Sequence, residues 1–308
     1  MTKKLILDCD PGIDDAVAIA LCCASDELDL LGITTTHGNV ALERTTINAL
    51  ALLDILDRNI SVYAGADRPL VRPAIHASNV HGASGFGGVE MPVPNGKPAD
   101  LHAVSFIIDS VMTAPGEISL FGIGPLTNIA LAMRLEPRLA QNLREIVIMG
   151  GAIGEGNTTP AAEFNMVADP HAARKMFEAG CPVTMFGLDV THKVIATPDR
   201  VAALEALGSP IAQLIARLIE AYRPSYTERY GWDGAAIHDM CTIAWAIDPT
   251  LFSLTEMAVL VDVNEGPNFG RTVCDSRKRD PSQPIVNVAR DVDADRVFAL
   301  LTERIARY

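Results

Sequence analysis

Aromatic side chains supply only 5% of the 308 residues, so any core this chain builds is aliphatic. Positive charge is also scarce. Lys and Arg number 25 against 38 Asp and Glu, leaving a net charge of −13. With no basic patch to offset that surplus, nucleic acid and anionic membrane are excluded as expected partners. Arg277-Lys278-Arg279 is the nearest approach to a basic run and reads as a solvated loop. The six cysteines, Cys9, Cys22, Cys23, Cys181, Cys241 and Cys274, contain no C-x-x-C pair and no regular spacing. They read as small core residues in a reducing compartment. No apolar run approaches the about 20 residues of a membrane span. Met1-Thr2-Lys3-Lys4 leads directly into an apolar run, so no signal peptide and a cytoplasmic location are expected. No internal repeat, low-complexity tract or linker interrupts the chain.

What the sequence does have is a concentration of acid near its start. In Leu5-Ile6-Leu7-Asp8-Cys9-Asp10-Pro11-Gly12-Ile13-Asp14-Asp15-Ala16, four carboxylates fall within eight residues. The apolar run reads as a buried parallel strand, Pro11-Gly12 as a turn, and Asp14 to Leu21 as a helix with acids in its first turn. One acid there is ordinarily a complement to the helix N-terminus. Four like charges in one strand-to-helix crevice are different, because they raise one another's pKa values unless a cation or many donors offset them. An all-oxygen set of this kind suits Ca²⁺ or Mg²⁺ rather than zinc.

Further along, strands are expected at Leu28–Thr35, Ser61–Ala64, Ile118–Ile123, Glu145–Met149 and Pro182–Phe186. Helices are expected at 41–57, 99–113, from Asn128, and at 169–179. This alternation predicts an α/β fold: an open, mostly parallel sheet flanked by helices, with a Rossmann-like core, in one domain spanning 1–308. Residues 65–98 and 152–168 read as long loops. The last third is more helical, at 198–206, 209–222 and Cys241–Ile247, with Tyr222 to Trp232 continuing irregularly. Three edge strands, Met257–Val263, Gly270–Cys274 and Ile285–Val288, and a closing helix at 291–305 complete the expectation. The loops leave the carboxyl ends of parallel strands, where open α/β sheets place ligands, so Asp10, Asn39 and Asn165 are expected to converge.

At this point the residues resemble a known family, the nucleoside hydrolases of the inosine-uridine-preferring group. The aspartate motif Asp8–Ala16 carries the likeness. Gly38-Asn39-Val40, Val80-His81-Gly82, Gly124-Pro125-Leu126-Thr127-Asn128, Met149-Gly150-Gly151, Glu163-Phe164-Asn165, Asp169-Pro170 and His238-Asp239 follow in family order over nearly the whole chain. The resemblance implies a hydrolase that cleaves the N-glycosidic bond of ribonucleosides to ribose and free base, with one Ca²⁺ in the pocket. It implies Asp10, Asp15, Asp239 and the Ile123 carbonyl as calcium ligands, Asp10 also as the general base for water, and His238 facing the leaving base. Asp14, Asn39, Asn157, Glu163, Phe164 and Asn165 would bind substrate, and the enzyme would be a homo-oligomer, dimer or tetramer. Met240 and Cys9 depart from the family's frequent Pro and Thr without touching a proposed ligand atom.

Chemistry makes sense of these residue types. Glycosidic cleavage passes through an oxocarbenium-like state that carboxylates and amide oxygens stabilise. A metal-bound water has a lowered pKa, and an imidazole titrating near neutrality suits a departing base. Plainer readings stand beside several of these: Asn39 as a turn residue or N-cap, His81 as a loop-shaping residue, Tyr226 and Tyr230 as a core pair four residues apart, with Trp232 nearby. The tyrosine pair is read as base-facing. His37, His76, His102, His171 and His192 are taken as structural or surface residues. Asp8-Cys9-Asp10 also fits the Mg²⁺-dependent haloacid-dehalogenase-type phosphohydrolases, but Asp14-Asp15 is unnecessary there and no later Lys with an acidic pair completes such a site. A ribose-binding protein without turnover is the non-enzymatic alternative.

Overall fold

In the computed structural model, which describes residues 2–277, 280 and 282–308, strands and helices alternate through the first two thirds of the chain. Met1, and Lys278 and Arg279 of the short basic run, lie outside the described residues. Strands β1 (Lys3–Cys9), β2 (Leu28–Thr35), β3 (Val62–Ala64), β4 (Ile118–Gly122), β5 (Glu145–Met149) and β6 (Val183–Phe186) are mutually parallel. A small antiparallel pair, β7 (Ile195–Ala196) and β8 (Ala235–Ala236), stands apart. Strands β9 (Phe252–Val261), β10 (Thr272–Asp275) and β11 (Ile285–Val292) extend the main sheet, whose order is β10-β9-β11-β6-β5-β4-β1-β2-β3.

The strands are buried on both faces because both faces are apolar. Leu5, Leu7 and Cys9 of β1 join one core cluster while Ile6 joins the other, and Val147 and Met149 of β5 oppose Ile146 and Ile148 in the same way. Alternate side chains of a strand point to opposite faces, so a continuous aliphatic run requires a cover on each side. Helices supply it. One layer contains α1 (Ile13–Cys23) and α2 (Leu42–Ile55), and a single-turn helix, α3 (Ser78–His81), lies in the long loop after β3. The other contains α4 (Ala103–Thr113), α5 (Thr127–Leu135), α6 (Leu139–Asn142) and, after the short α7 (Phe164–Ala168), α8 (Pro170–Phe177). Beyond α9 (Leu188–Thr191), helices α10 (Pro198–Glu205), α11 (Pro210–Tyr230), α12 (Met240–Ile247) and α13 (Ala294–Ile305) complete the first layer. Among the described residues no helix is long and apolar enough to cross a membrane.

Several expectations change. The segment 152–168 is not loop throughout, because the Glu163 carboxylate accepts from the backbone N–H groups of Asn165 and Met166 and starts α7. Helix α11 does not become irregular after Tyr222 but continues through Pro224 to Tyr230. Proline forfeits one backbone donor. Here Tyr222 and Tyr226 are buried on either side of it and the Ser225 hydroxyl donates to the Tyr222 carbonyl, which holds the turn together. Of the three strands expected at the edge, β9 and β11 lie inside the sheet and β10 alone is terminal; β11 extends to Val292, so α13 begins later than expected.

The order β3-β2-β1-β4-β5-β6 places a reversal of direction between β1 and β4. Loops leaving neighbouring strands there turn to opposite faces and open a crevice at the strand ends. Asn128, fully buried at the start of α5, ties its walls together. Its Nδ2 donates to Asp8 Oδ1 (2.8 Å) and the Thr35 carbonyl (3.0 Å), while its Oδ1 accepts from Ala66 N (2.8 Å). Asn128→Ala leaves buried groups unpaired, one of them a carboxyl, and is expected to cost about 3 kcal/mol of stability, measured by urea unfolding. A loss below about 0.5 kcal/mol would contradict this role.

Candidate active site

Asp10 follows β1 directly, and the chain around it is shaped to admit its carboxylate. A methyl group on Gly38 would sit 1.9 Å from Asp10 Oδ2, and one on Gly124 would sit 2.5 Å from Oδ1. These two glycines follow β2 and β4, so the strands flanking β1 approach Asp10 with bare backbone. Asp10 Oδ2 accepts from Asn39 N (2.6 Å), and Asn39 Nδ2 donates to the Asp10 carbonyl (3.1 Å) and to Asp15 Oδ2 (3.0 Å). Asn39 therefore braces two acids. Asp15, in the first turn of α1, also accepts from Asp10 N (3.2 Å) and Gly12 N (2.9 Å).

Asp14, Asp15 and Asp239 each offer a carboxylate oxygen within 4.8 Å of the others, all three buried. Asp14 thus stands with Asp15 and Asp239, while Asp10, expected with Asp15 and Asp239, lines the same cavity and accepts from Asn39 N through Oδ2. Burial raises all four pKa values, that of Asp15 to about 6; mutual repulsion adds to burial at Asp10, Asp14 and Asp239, which lie well above the usual carboxylate range. Among the described residues no Lys or Arg forms an ion pair with any of the four. Ile123 lines the same cavity, and its carbonyl accepts from Asn165 Nδ2 at 3.0 Å with a second lone pair remaining. An oxygen-only, anionic and buried donor set of this kind fits a hard divalent cation. Asp8 stands apart, absent from the cavity lining. Its Oδ1 accepts from Thr34 Oγ1 (2.6 Å) and Asn128, and burial raises its pKa to about 7.

The cavity above the acids has a volume of about 860 Å³. Asp10, Asp14, Asn39, His81, Asn157, Glu163, Phe164, Asn165, Tyr226, Tyr230, His238 and Asp239, most of them named by the resemblance, all line it, while Asp15 is not among the lining residues. Glu163 accepts from Gly151 N (3.0 Å) as well as capping α7, and burial lifts its pKa to about 7. Asn157 Oδ1 accepts from Phe164 N (2.9 Å), fixing that loop, and Asn165 Nδ2 also donates to the Met149 carbonyl (3.1 Å).

On the opposite wall His238 Nδ1 meets Thr191 Oγ1 at 2.7 Å and Nε2 meets the Tyr226 hydroxyl. Burial, with His192 and His81 nearby, pushes its pKa well below the usual range. Burial therefore favours its neutral form, whereas the sequence suggested an imidazole titrating near neutrality. His81 Nδ1 accepts from Ile13 N (3.3 Å), and burial lowers its pKa to about 3. Among the lining residues outside the expected set are Tyr222 and His76. Tyr222 was legible as the first of Tyr222, Tyr226 and Tyr230 at spacing four, had the helix been continued through Pro224. His76 reaches the wall from the long loop, with Nδ1 3.0 Å from the Gly38 carbonyl, and local sequence offers no signal for that. Trp232 is not among the lining residues; it stacks on Tyr230 at 4.6 Å.

The sequence model of the family described as inosine-uridine preferring nucleoside hydrolase matches residues 5–299. The pyrimidine-specific ribonucleoside hydrolase RihB of Escherichia coli is 42% identical over 306 residues, covering 99% of this chain and 98% of its own. Among solved structures, a purine-preferring ribonucleoside hydrolase from Gardnerella vaginalis is 37% identical with a TM-score of 0.93, covering 99% and 98% of the two chains. The plant nucleoside hydrolase PpNRh1 is 36% identical with a TM-score of 0.94, over 100% of both.

The raised carboxylate pKa values have a consequence for metal removal. A folded state that holds protons more tightly than the unfolded chain loses stability as pH rises above the ordinary carboxylate range. A bound cation favours the ionised forms, so its stabilising effect grows over the same interval. At free calcium about 100 times the dissociation constant, the gain is about 2.7 kcal/mol. Calcium is expected to raise the melting temperature over an EDTA-treated sample, by more at about pH 8 than at about pH 5. Equal melting temperatures with and without calcium would remove the cation from the site.

Proposed function

The chain belongs to the inosine-uridine preferring nucleoside hydrolase family, and we propose that it hydrolyses the N-glycosidic bond of ribonucleosides of the inosine, uridine and cytidine type in a calcium-dependent reaction. The observation that carries this reading is the seating of Asp10. Its carboxylate lies between two glycines at the floor of a cavity walled by sugar-binding types on one side and aromatic and imidazole groups on the other.

Asp10, Asp15, Asp239 and the Ile123 carbonyl would hold the cation, with Asp14 close enough to Asp15 and Asp239 to share in the site. When bound, such an ion lowers the pKa of a coordinated water and chelates vicinal hydroxyls. Asp10, in the ionised form that a bound cation favours, takes the proton of the attacking water. Asp14, Asn39, Asn157, Glu163 and Asn165 orient the ribose, and their oxygens stabilise the positive charge that develops on the sugar ring as the bond to the base lengthens. Tyr226 and the neutral His238 face the departing base as a linked pair of hydrogen-bonding groups.

Incubating the purified protein with inosine, uridine, cytidine and adenosine in the presence of calcium is expected to release reducing sugar from at least one of them; no release from any would refute the reaction. Binding of a nucleoside without product would instead mark a binding protein. Asp10→Ala is expected to lower kcat by about a thousandfold or more, the scale of losing a general base and a ligand together, with far-UV circular dichroism unchanged. Near-normal turnover in that variant would remove Asp10 from the mechanism.

A further inference from the structure

Asn48 lies on α2, outside the cavity lining, and is 3% exposed. Its Nδ2 donates both hydrogens to backbone carbonyls, of Pro11 at 2.8 Å and of Ser84 at 2.8 Å. The two acceptors belong to different segments. Pro11 stands in the turn that carries Asp10 and leads to Asp15, and Ser84 in the segment that carries His81.

We infer that Asn48 is a positioning residue for the hydrolysis, locking the segment 78–88 to the turn 10–15 so that cation binding and the seating of His81 are coupled. The inference rests on reading the acidic floor as a cation site. Its core is one peptide unit. The carbonyl of Pro11 is held by Asn48, and the N–H of the same planar unit, on Gly12, donates to Asp15 Oδ2 at 2.9 Å. Because the peptide is rigid, rotating its oxygen swings its hydrogen. A shift at Asn48 therefore reaches the carboxylate of Asp15 directly.

Close packing around Asn48 carries the same coupling. A methyl group on Gly85, whose φ is +90°, would sit 2.7 Å from Asn48 Nδ2 and 3.2 Å from the Pro11 carbonyl. On Gly12 it would sit 2.6 Å from His81 Nδ1, the atom that accepts from Ile13 N. The Gly87 amide closes the segment on the His81 carbonyl at 2.7 Å. Segment and turn thus meet through bare backbone on both sides of one buried amide, which leaves little room for either to move alone.

The test uses the full chain, calcium chloride as the probe and two readouts that do not require turnover. Hydrogen exchange in the wild type is expected to show calcium-dependent protection of residues 78–88. In Asn48→Ala that protection is lost, and the calcium dissociation constant measured by calorimetry rises about tenfold, the scale of two unpaired buried carbonyls. Asn48→Asp, which keeps the volume but turns an oxygen toward both carbonyls, is expected to weaken binding further. Calcium affinity of Asn48→Ala within about twofold of wild type, a change too small for a lost buried contact, overturns the inference. So does wild-type exchange in 78–88 that ignores calcium, a result that needs no variant to fold. A wild type that binds calcium with this coupling but cleaves no nucleoside would count against the reaction proposed above and not against the role of Asn48.

Discussion

Burying several carboxylates together without a protein cation is the constraint on which the rest of this structure depends. Asp10, Asp14, Asp15 and Asp239 are all removed from water, and among the described residues none has a Lys or Arg partner. A buried unpaired charge is expensive, and like charges in company are more so. Backbone N–H groups of Asp10, Gly12 and Asn39 and the Asn39 side chain supply part of the compensation. In the reading proposed above, the remainder would come from a divalent ion and from the hydroxyls of a sugar.

The fold delivers these acids from distant parts of the chain by one topological device. Reversal of strand order between β1 and β4 opens a crevice at the strand ends, and each neighbouring strand then contributes its first loop residues: Gly38-Asn39 after β2, Ile123-Gly124 after β4, Gly150-Gly151 after β5. Glycine recurs in these positions because backbone must approach within contact of a carboxylate, as Gly38 and Gly124 approach Asp10. Behind them Asn128 joins β1, β2 and the loop after β3. Side chains that touch no ligand thereby decide where the ligand-facing ones stand.

Opposite the acids, the wall is built differently. Tyr222, Tyr226 and Tyr230 form a row along α11, and Tyr226 bonds a histidine that burial keeps neutral. A neutral imidazole in contact with a phenol can donate or accept at the leaving base according to how the two hydrogens are arranged. In the proposed reaction, charge would stand against the sugar and adjustable neutral polarity against the base, a division suited to a sugar that becomes cationic.

Much of this was legible in one dimension. The alternation of aliphatic runs with helical periods specified the parallel sheet, because strands covered on both faces must be apolar throughout, and β2 and β5 fall where that pattern puts them. Crowding of acids at the end of β1 announced a charged site, since local spacing brings Asp10, Asp14 and Asp15 together, although Asp8, counted with them, stands apart. Long-range packing decided the rest. Proline at 224 signals a break by its own geometry, yet burial of the flanking tyrosines keeps the helix intact and brings Tyr222 to the wall. The titration expected of His238 is a property of an exposed imidazole, and only the depth of its surroundings makes it neutral. Four aspartates look alike in the chain; Asp8 became a partner of Asn128 and Thr34, Asp10 of Asn39, and Asp14 a neighbour of Asp239, because those contacts come from residues tens to hundreds of positions away. Composition and periodicity act through nearest neighbours and so declare elements and their chemistry, whereas the division of labour among identical side chains belongs to the distant segments that surround each one.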